Sequence, residues 1–391
     1  MTRTRATNAV RLVVVATLQD CVAILPLGLV AAFAARLTTA HGGDGNLAGW
    51  LTTSFFLLGS LTAMGLGPFI DQLGVRRTGV VSAITLVTMA LPLMAWPGSP
   101  IVLGIGVAAA GGCFAVVLPS TNGLIAAAVP MDRQVLAVCT KQAALPLAML
   151  LAAAASSALD WIWAVVVAEA AAVAVLVVFA RTTRSLGPWK AEDVATAGRR
   201  VARYGVATFL ASAVVGGMLG YSALTLAGAG LSSGTTAWVL LVAGLLSVVA
   251  RILSGVLVDR CGFRSWWLVT LTMWIGGTGV ALLGAGAQPV VLVGCLLAYA
   301  FGWCWSGLTF ALVLSENSGR PGRSSAVLQA GGMAGSAAGP VLMAWTITHA
   351  GIGSAWLVMA AAMLVAGAIV APVPAPPTAR VQARLGEAEP G

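Results

Sequence analysis

Twelve apolar runs of about 20 to 30 residues, separated by polar joints, account for most of this 391-residue chain. A run of that length lets an α-helix cross a roughly 30 Å hydrocarbon core at 1.5 Å per residue. The runs fall near 12–33, 47–68, 78–96, 101–129, 135–159, 161–180, 204–229, 235–257, 266–286, 290–315, 325–348 and 354–371. They predict an all-α membrane protein with twelve transmembrane helices. The composition excludes the soluble alternative: 59% of residues are hydrophobic and 8% are charged, where a soluble domain has about 25% charged residues.

The formal charge of +9 invites a nucleic-acid reading, but the basic residues lie in the joints between apolar runs and do not alternate with aromatics. At every second joint stands a stretch that carries no Lys or Arg: His41 to Gly45, Pro97 to Ser99, Asp160, Leu231 to Ser233, Gln288-Pro289 and Gly351 to Gly353. The others hold Arg76, Arg77, Arg133, Arg181, Arg184, Lys190, Arg199, Arg200, Arg203, Arg260, Arg264, Arg320 and Arg323, and the chain ends add Arg3, Arg5, Arg11, Arg380 and Arg384. The positive-inside rule makes the arginine side cytoplasmic. Both termini are then cytoplasmic, which twelve crossings satisfy. The basic start could pass for a signal peptide, but the run from Leu12 to Phe33 is too long for one and is interrupted by Asp20.

The polar stretch 181–203 separates six helices from six. The expected organisation is a cytoplasmic N-terminus (1–11), an N-terminal bundle (12–180), a cytoplasmic linker (181–203), a C-terminal bundle (204–371) and a disordered tail (372–391) rich in Pro and Ala.

Most chemistries find no support. Cys21, Cys113, Cys139, Cys261, Cys295 and Cys304 form no CxxC pair, so neither disulfide nor metal is expected. The two histidines, His41 and His349, fall at outer helix ends. No phosphate loop or nucleophile elbow is present. No cofactor is expected, and no enzymatic activity.

One motif occurs twice. Gly67-Pro68-Phe69-Ile70-Asp71-Gln72-Leu73-Gly74-Val75-Arg76-Arg77 joins helices two and three, and Gly255-Val256-Leu257-Val258-Asp259-Arg260-Cys261-Gly262-Phe263-Arg264 joins helices eight and nine. Gly, Asp, Gly and Arg recur 188 residues apart, which divides the chain into two halves of parallel topology. The glycine permits close helix approach, and the carboxylate suits a neighbouring helix N-terminus. Asp71 is expected at the start of helix eleven and Asp259 at the start of helix five. Arg76 or Arg77 with Asp132, and Arg260 or Arg264 with Glu316, are the ion pairs expected to latch the cytoplasmic face. A solvated turn that merely sets topology is the plainer alternative.

At these residues the sequence resembles the major facilitator superfamily, whose hallmark is a Gly-x-x-x-Asp-x-x-Gly-x-Arg loop, often repeated with an upstream arginine that Arg251 matches. The segment from Leu118-Pro119-Ser120-Thr121-Asn122 through Arg133 to Lys141-Gln142-Ala143-Ala144-Leu145-Pro146 resembles bacterial permeases of the cyanate and nitroimidazole carrier branch. The resemblance implies two six-helix bundles related by a pseudo-two-fold repeat, which rock around a cavity lined by helices one, four, seven and ten. Helix four lacks the arginine and helix five the Gly-Pro stretch of the family's proton-driven drug exporters. Gly335-x-x-x-Gly339-Pro340 in helix eleven reads equally well as close packing.

Ionisable groups in mid-membrane are functional candidates by default. Asp20 lies about 13 Å past Arg11, Lys141 about 12 Å past Arg133 and Asn122 at a similar depth. Asp20 and Lys141 are expected to pair when the site is empty, and an anionic substrate would compete for Lys141 and free Asp20 to take a proton. A permanent pair that only fixes packing is the alternative. Glu169 in helix six is a further candidate for proton coupling or packing. Arg251 is assigned to the latch. Gln19, Gln142 and Gln329 are polar groups within helices, and Gln142 and Gln329 stand close to the repeat offset, as if facing one another across the cavity. In helix ten, Tyr299 and Trp303 share a face at four-residue spacing, suited to a small planar solute or to packing, and Tyr221 of helix seven is placed to join them.

These readings predict a bacterial cytoplasmic-membrane transporter that acts as a monomer in the lipid bilayer and binds a small organic solute and protons. Proton-linked uptake of an organic anion leads. Proton-coupled export of a small toxic or natural product is the first alternative, and a non-transporting membrane sensor or enzyme on the same scaffold is the second.

Overall fold

A computed structural model of the chain describes residues 3–41, 47–184, 198–316 and 321–371. The expected disordered tail, most of the linker and the joints holding Asp44 and Arg320 lie outside the described residues. Within them, eleven helices are long and apolar enough to cross a membrane: Ala9–Ala32 (span 1), Leu47–Gly67 (2), Val75–Met94 (3), Pro100–Ala128 (4), Met131–Ala158 (5), Trp161–Thr182 (6), Arg200–Gly228 (7), Ser233–Cys261 (8), Ser265–Leu283 (9), Gln288–Glu316 (10) and Pro321–Val370. The last runs for 50 residues through a non-helical Gly351 at φ 82°, ψ 165°, so it makes two crossings, spans 11 and 12. Twelve crossings in two six-helix halves result.

Local chemistry sets the helix ends. On the face opposite the motif arginines, Ser99, Asp160 and Ser232 accept hydrogen bonds from the backbone N–H of Val102, Trp163 and Thr235, and so cap spans 4, 6 and 8. On the arginine-bearing face the helices run further than the apolar pattern suggests. The helix of span 2 continues to Leu73 and stops at Gly74 (φ 80°), and that of span 8 stops at Gly262 in the left-handed region (φ 72°). The repeated motif is therefore not a loop: its glycine and aspartate occupy the last turns of a helix, and only the second glycine turns the chain, because its φ suits glycine.

The same glycines let helices touch. A Cβ at Gly67 would stand 2.6 Å from Ala326 Cβ, and one at Gly255 would stand 2.6 Å from Leu136 Cα, in each case across the boundary between halves. Gly335 and Gly339 press span 11 onto span 7, where a Cβ would come within 2.0 Å of Phe209 O and 1.9 Å of Ala213 O. That is the packing use of the Gly335-x-x-x-Gly339-Pro340 pattern.

Two spans break near mid-membrane. In span 5 the helices Gln134–Gln142 and Ala144–Ala158 meet at Ala143. Pro146 has no N–H to give the Gln142 carbonyl, so the ladder opens there. Span 10 is interrupted at residues 301–304, between Gln288–Ala300 and Trp305–Glu316, where Gly302 packs so closely on Gly276 that a Cβ at Gly276 would stand 2.2 Å from Gly302 Cα.

Candidate functional site

Spans 1, 4 and 5 bring three side chains together in the N-terminal half. Lys141 Nζ lies 2.9 Å from Asp20 Oδ2, and neither side chain has exposed surface. Thr121 Oγ1 donates to Asp20 Oδ1 at 2.6 Å, and Lys141 Nζ donates to Thr121 Oγ1 at 3.0 Å and to Leu118 O at 3.4 Å. The three groups close a ring of charge-assisted hydrogen bonds, which offsets part of the cost of burying two ions.

A cavity of about 80 Å³ adjoins this ring at the boundary between the halves. Its walls include Ile24 and Leu27 of span 1, Gln142, Leu145 and Met149 of span 5, Thr208 and Ser212 of span 7, Trp303 and Ser306 of span 10, and Gln329 of span 11. Ile24 and Leu27 follow Asp20, and Leu145 and Met149 follow Lys141, in the direction away from the arginine-bearing face. The cavity thus lies on the far side of the ion pair from that face. Spans 2, 5 and 11 contribute to the walls as well as spans 1, 4, 7 and 10.

The cavity holds buried polar atoms without partners among the described residues: both side-chain polar atoms of Gln142, Nε2 of Gln329 and Oγ1 of Thr208. Such atoms cost free energy unless a ligand or water satisfies them. Gln142 is 1% exposed and leads directly from the cavity to Lys141. Thr208 and Gln329 stand 188 residues after Asp20 and Lys141, so the charged pair of the first half is matched by neutral polar groups in the second.

Arg251 of span 8 is fully buried. Its guanidinium donates to Trp303 O at 2.6 Å and to both the hydroxyl and carbonyl oxygens of Ser247, and it stacks over the Trp303 ring at 5.1 Å. These contacts tie it to the cavity wall; none reaches the motif carboxylate Asp259, eight residues on.

The arginine-bearing face is closed by two equivalent contacts. Asp71 accepts the backbone N–H of Gly322 at 2.8 Å and of Arg323 at 2.9 Å, at the start of span 11. Asp259 accepts the backbone N–H of Leu136 at 2.7 Å, near the start of span 5. Each carboxylate neutralises the positive end of a helix in the opposite half. The arginine-to-acid pairs expected beside them are not among the ion pairs of the described residues: Asp132 stands 3.8 Å from its neighbour Arg133, and Glu316 accepts from Tyr204 OH at 3.3 Å. Arg76 and Arg77 are exposed to solvent or lipid, where such a pair contributes about 0 to 1 kcal/mol.

Other polar groups serve elsewhere. Asn122 Nδ2 donates to Ser325 Oγ at 3.2 Å and links spans 4 and 11 across the halves. Gln19 Nε2 donates to Gly79 O at 3.4 Å between spans 1 and 3. Glu169 is partly exposed on span 6, away from the cavity walls. Tyr299 and Trp303 do not share one helical face, because Trp303 lies within the break at 301–304, yet their rings meet edge to face at 6.2 Å. Tyr221 OH reaches Pro340 O at 3.5 Å. Thr121 enters the sequence reading only as part of the Leu118 to Asn122 segment, and Thr208, Ser212 and Ser325 escape it. Only the 188-residue offset, applied to Asp20, could have found Thr208.

No curated protein sequence matches the chain. Solved structures match its fold. The human organic anion transporter MFSD10 (TETRAN) aligns with a TM-score of 0.75 and 17% identity, over 95% of this chain and 100% of that one. The proton:xylose symporter XylE bound to 6-bromo-6-deoxy-D-glucose aligns with a TM-score of 0.77 and 15% identity, over 93% and 95%. A bacterial homologue of the iron transporter ferroportin, outward-facing with soaked iron, aligns with a TM-score of 0.76 and 15% identity, over 93% and 98%. The family model described as Major Facilitator Superfamily matches residues 21–327 and, in a second overlapping match, 204–389. The chain belongs to the major facilitator superfamily.

Proposed function

We propose that this transporter carries a small organic anion into the cell together with a proton, in a bacterial cytoplasmic membrane with the arginine-bearing face and both termini inside. The observation that carries the reading is the Asp20–Lys141 pair, 2.9 Å apart and without exposed surface, one residue from the unpartnered Gln142 of the cavity wall. An anion entering the cavity bonds to Gln142 and Gln329 and then competes for Lys141. Asp20 loses its counter-ion and becomes the group that takes a proton. The loaded halves rock, the Asp71 and Asp259 contacts break, and solute and proton leave on the arginine-bearing side. Asp20 then closes again on Lys141.

Charge supports an anion over a cation. At this depth the described buried ions are Asp20, Lys141 and Arg251, one acid against two bases. The surplus positive charge beside Trp303 is what an anionic solute would neutralise. Among proteins sharing the fold, MFSD10 is an organic anion transporter and XylE a proton symporter, so the scaffold accommodates both elements.

The test is thermal melting of the purified protein across small carboxylates, neutral solutes and lipophilic cations, because a ligand of the folded state raises its stability. Carboxylates are expected to stabilise the parent, but neither Lys141→Ala nor the charge-balanced Asp20→Asn/Lys141→Ala. Stabilisation only by lipophilic cations, retained in both variants, would replace this reading with export.

A further inference from the structure

Outside the central cavity, a second and larger recess of about 600 Å³ opens on the membrane side between spans 2, 3 and 4. Its walls are almost wholly apolar, with Leu66, Val81 and Met89 at 46%, 62% and 47% exposure. At one end stand Arg76 and Arg77, both exposed and neither in an ion pair among the described residues. Asp71, the acid nearest in sequence, is bonded to the amides of Gly322 and Arg323.

The length of the recess identifies its occupant. Along span 3 it runs from Arg76 to Met89, about 20 Å of helix, and along span 2 from Leu73 to Thr62, about 16 Å. One leaflet of a roughly 30 Å hydrocarbon core is about 15 Å deep. The recess therefore spans one leaflet, with its charged end at the headgroup level of the arginine-bearing face and its apolar body where an acyl chain lies.

The geometry points to a binding site for an anionic phospholipid, its phosphate on Arg76 and Arg77 and one acyl chain in the recess between spans 2, 3 and 4. Charge complementarity selects an anionic headgroup, since two guanidiniums with no ion-pair partner among the described residues attract acidic lipid at a membrane surface. The lipid would brace the end of span 2 that carries Asp71, and so favour closure of that face. The inference rests on the topology alone and stands or falls independently of the solute proposed above.

Thermal melting and lipid titration of the full-length protein in neutral detergent test it, using phosphatidylglycerol, phosphatidylcholine with the same chains, and inorganic phosphate. Phosphatidylglycerol is expected to raise the melting temperature, and the other two are not. Arg76→Gln/Arg77→Gln should weaken phosphatidylglycerol binding roughly thirtyfold, Arg76→Lys/Arg77→Lys should largely retain it, and Val81→Trp should weaken it by filling the recess. Equal stabilisation by phosphatidylcholine, an equal effect of phosphate alone, or undiminished binding by the double Gln variant would each overturn the proposal.

Discussion

Lys141 Nζ and Asp20 Oδ2 stand 2.9 Å apart in a protein interior that leaves neither side chain any exposed surface. With Thr121 bridging them, each ion depends on the other for its stability. Removing one partner leaves an uncompensated buried charge at a cost of about 3 to 5 kcal/mol. Lys141→Met alone should therefore lower the melting temperature sharply, and Asp20→Asn/Lys141→Met should recover much of the loss. Transport is expected to be absent in both. If the double variant transports like the parent, the pair serves only packing.

The latch contacts give a second expectation. Asp71 and Asp259 each hold the N-terminal amides of a helix in the other half, and charge-assisted bonds of this kind contribute about 1.5 to 3 kcal/mol. Asp71→Asn should favour opening of the arginine-bearing face. Alkylation of Ala326→Cys, a buried position packed against Gly67, should then be roughly tenfold faster than with Asp71 intact, the ratio that about 1.4 kcal/mol gives. An unchanged rate would remove Asp71 from the latch.

The unpartnered amides make a prediction that separates binding from stability. Gln142→Leu replaces a buried group with no partner among the described residues, so the melting temperature of the empty protein should hold or rise. Binding of the transported anion should weaken by roughly three- to tenfold, the worth of one hydrogen bond. A fall in stability with unchanged binding would make Gln142 a structural residue.

The sequence revealed the spans, the repeat and the Asp20–Lys141 level because each rests on a one-dimensional signal: run length, fixed offset and residues counted from a charged joint. It missed what depends on how backbones break and pack. Pro146 opens span 5 beside Lys141, and the turn at 301–304 takes Trp303 out of the helix that holds Tyr299. Neither shift is visible to a reading that assumes unbroken helices. Arg251 looked like part of the latch because it shares a motif with Asp259, but about 12 Å of helix lies between them, and its guanidinium reaches Trp303 instead. Asn122 lies at the depth expected, but its amide contacts Ser325 of the other half and does not line the cavity.

The most direct test of the central claim is uptake into proteoliposomes of a carboxylate that stabilises the protein, with and without an imposed inward proton gradient. Accumulation above the external concentration only with the gradient is predicted. It should vanish with a protonophore and be absent in Asp20→Asn. Accumulation that ignores the gradient, or gradient-driven movement only outward, would contradict proton-linked anion uptake through Asp20 and Lys141.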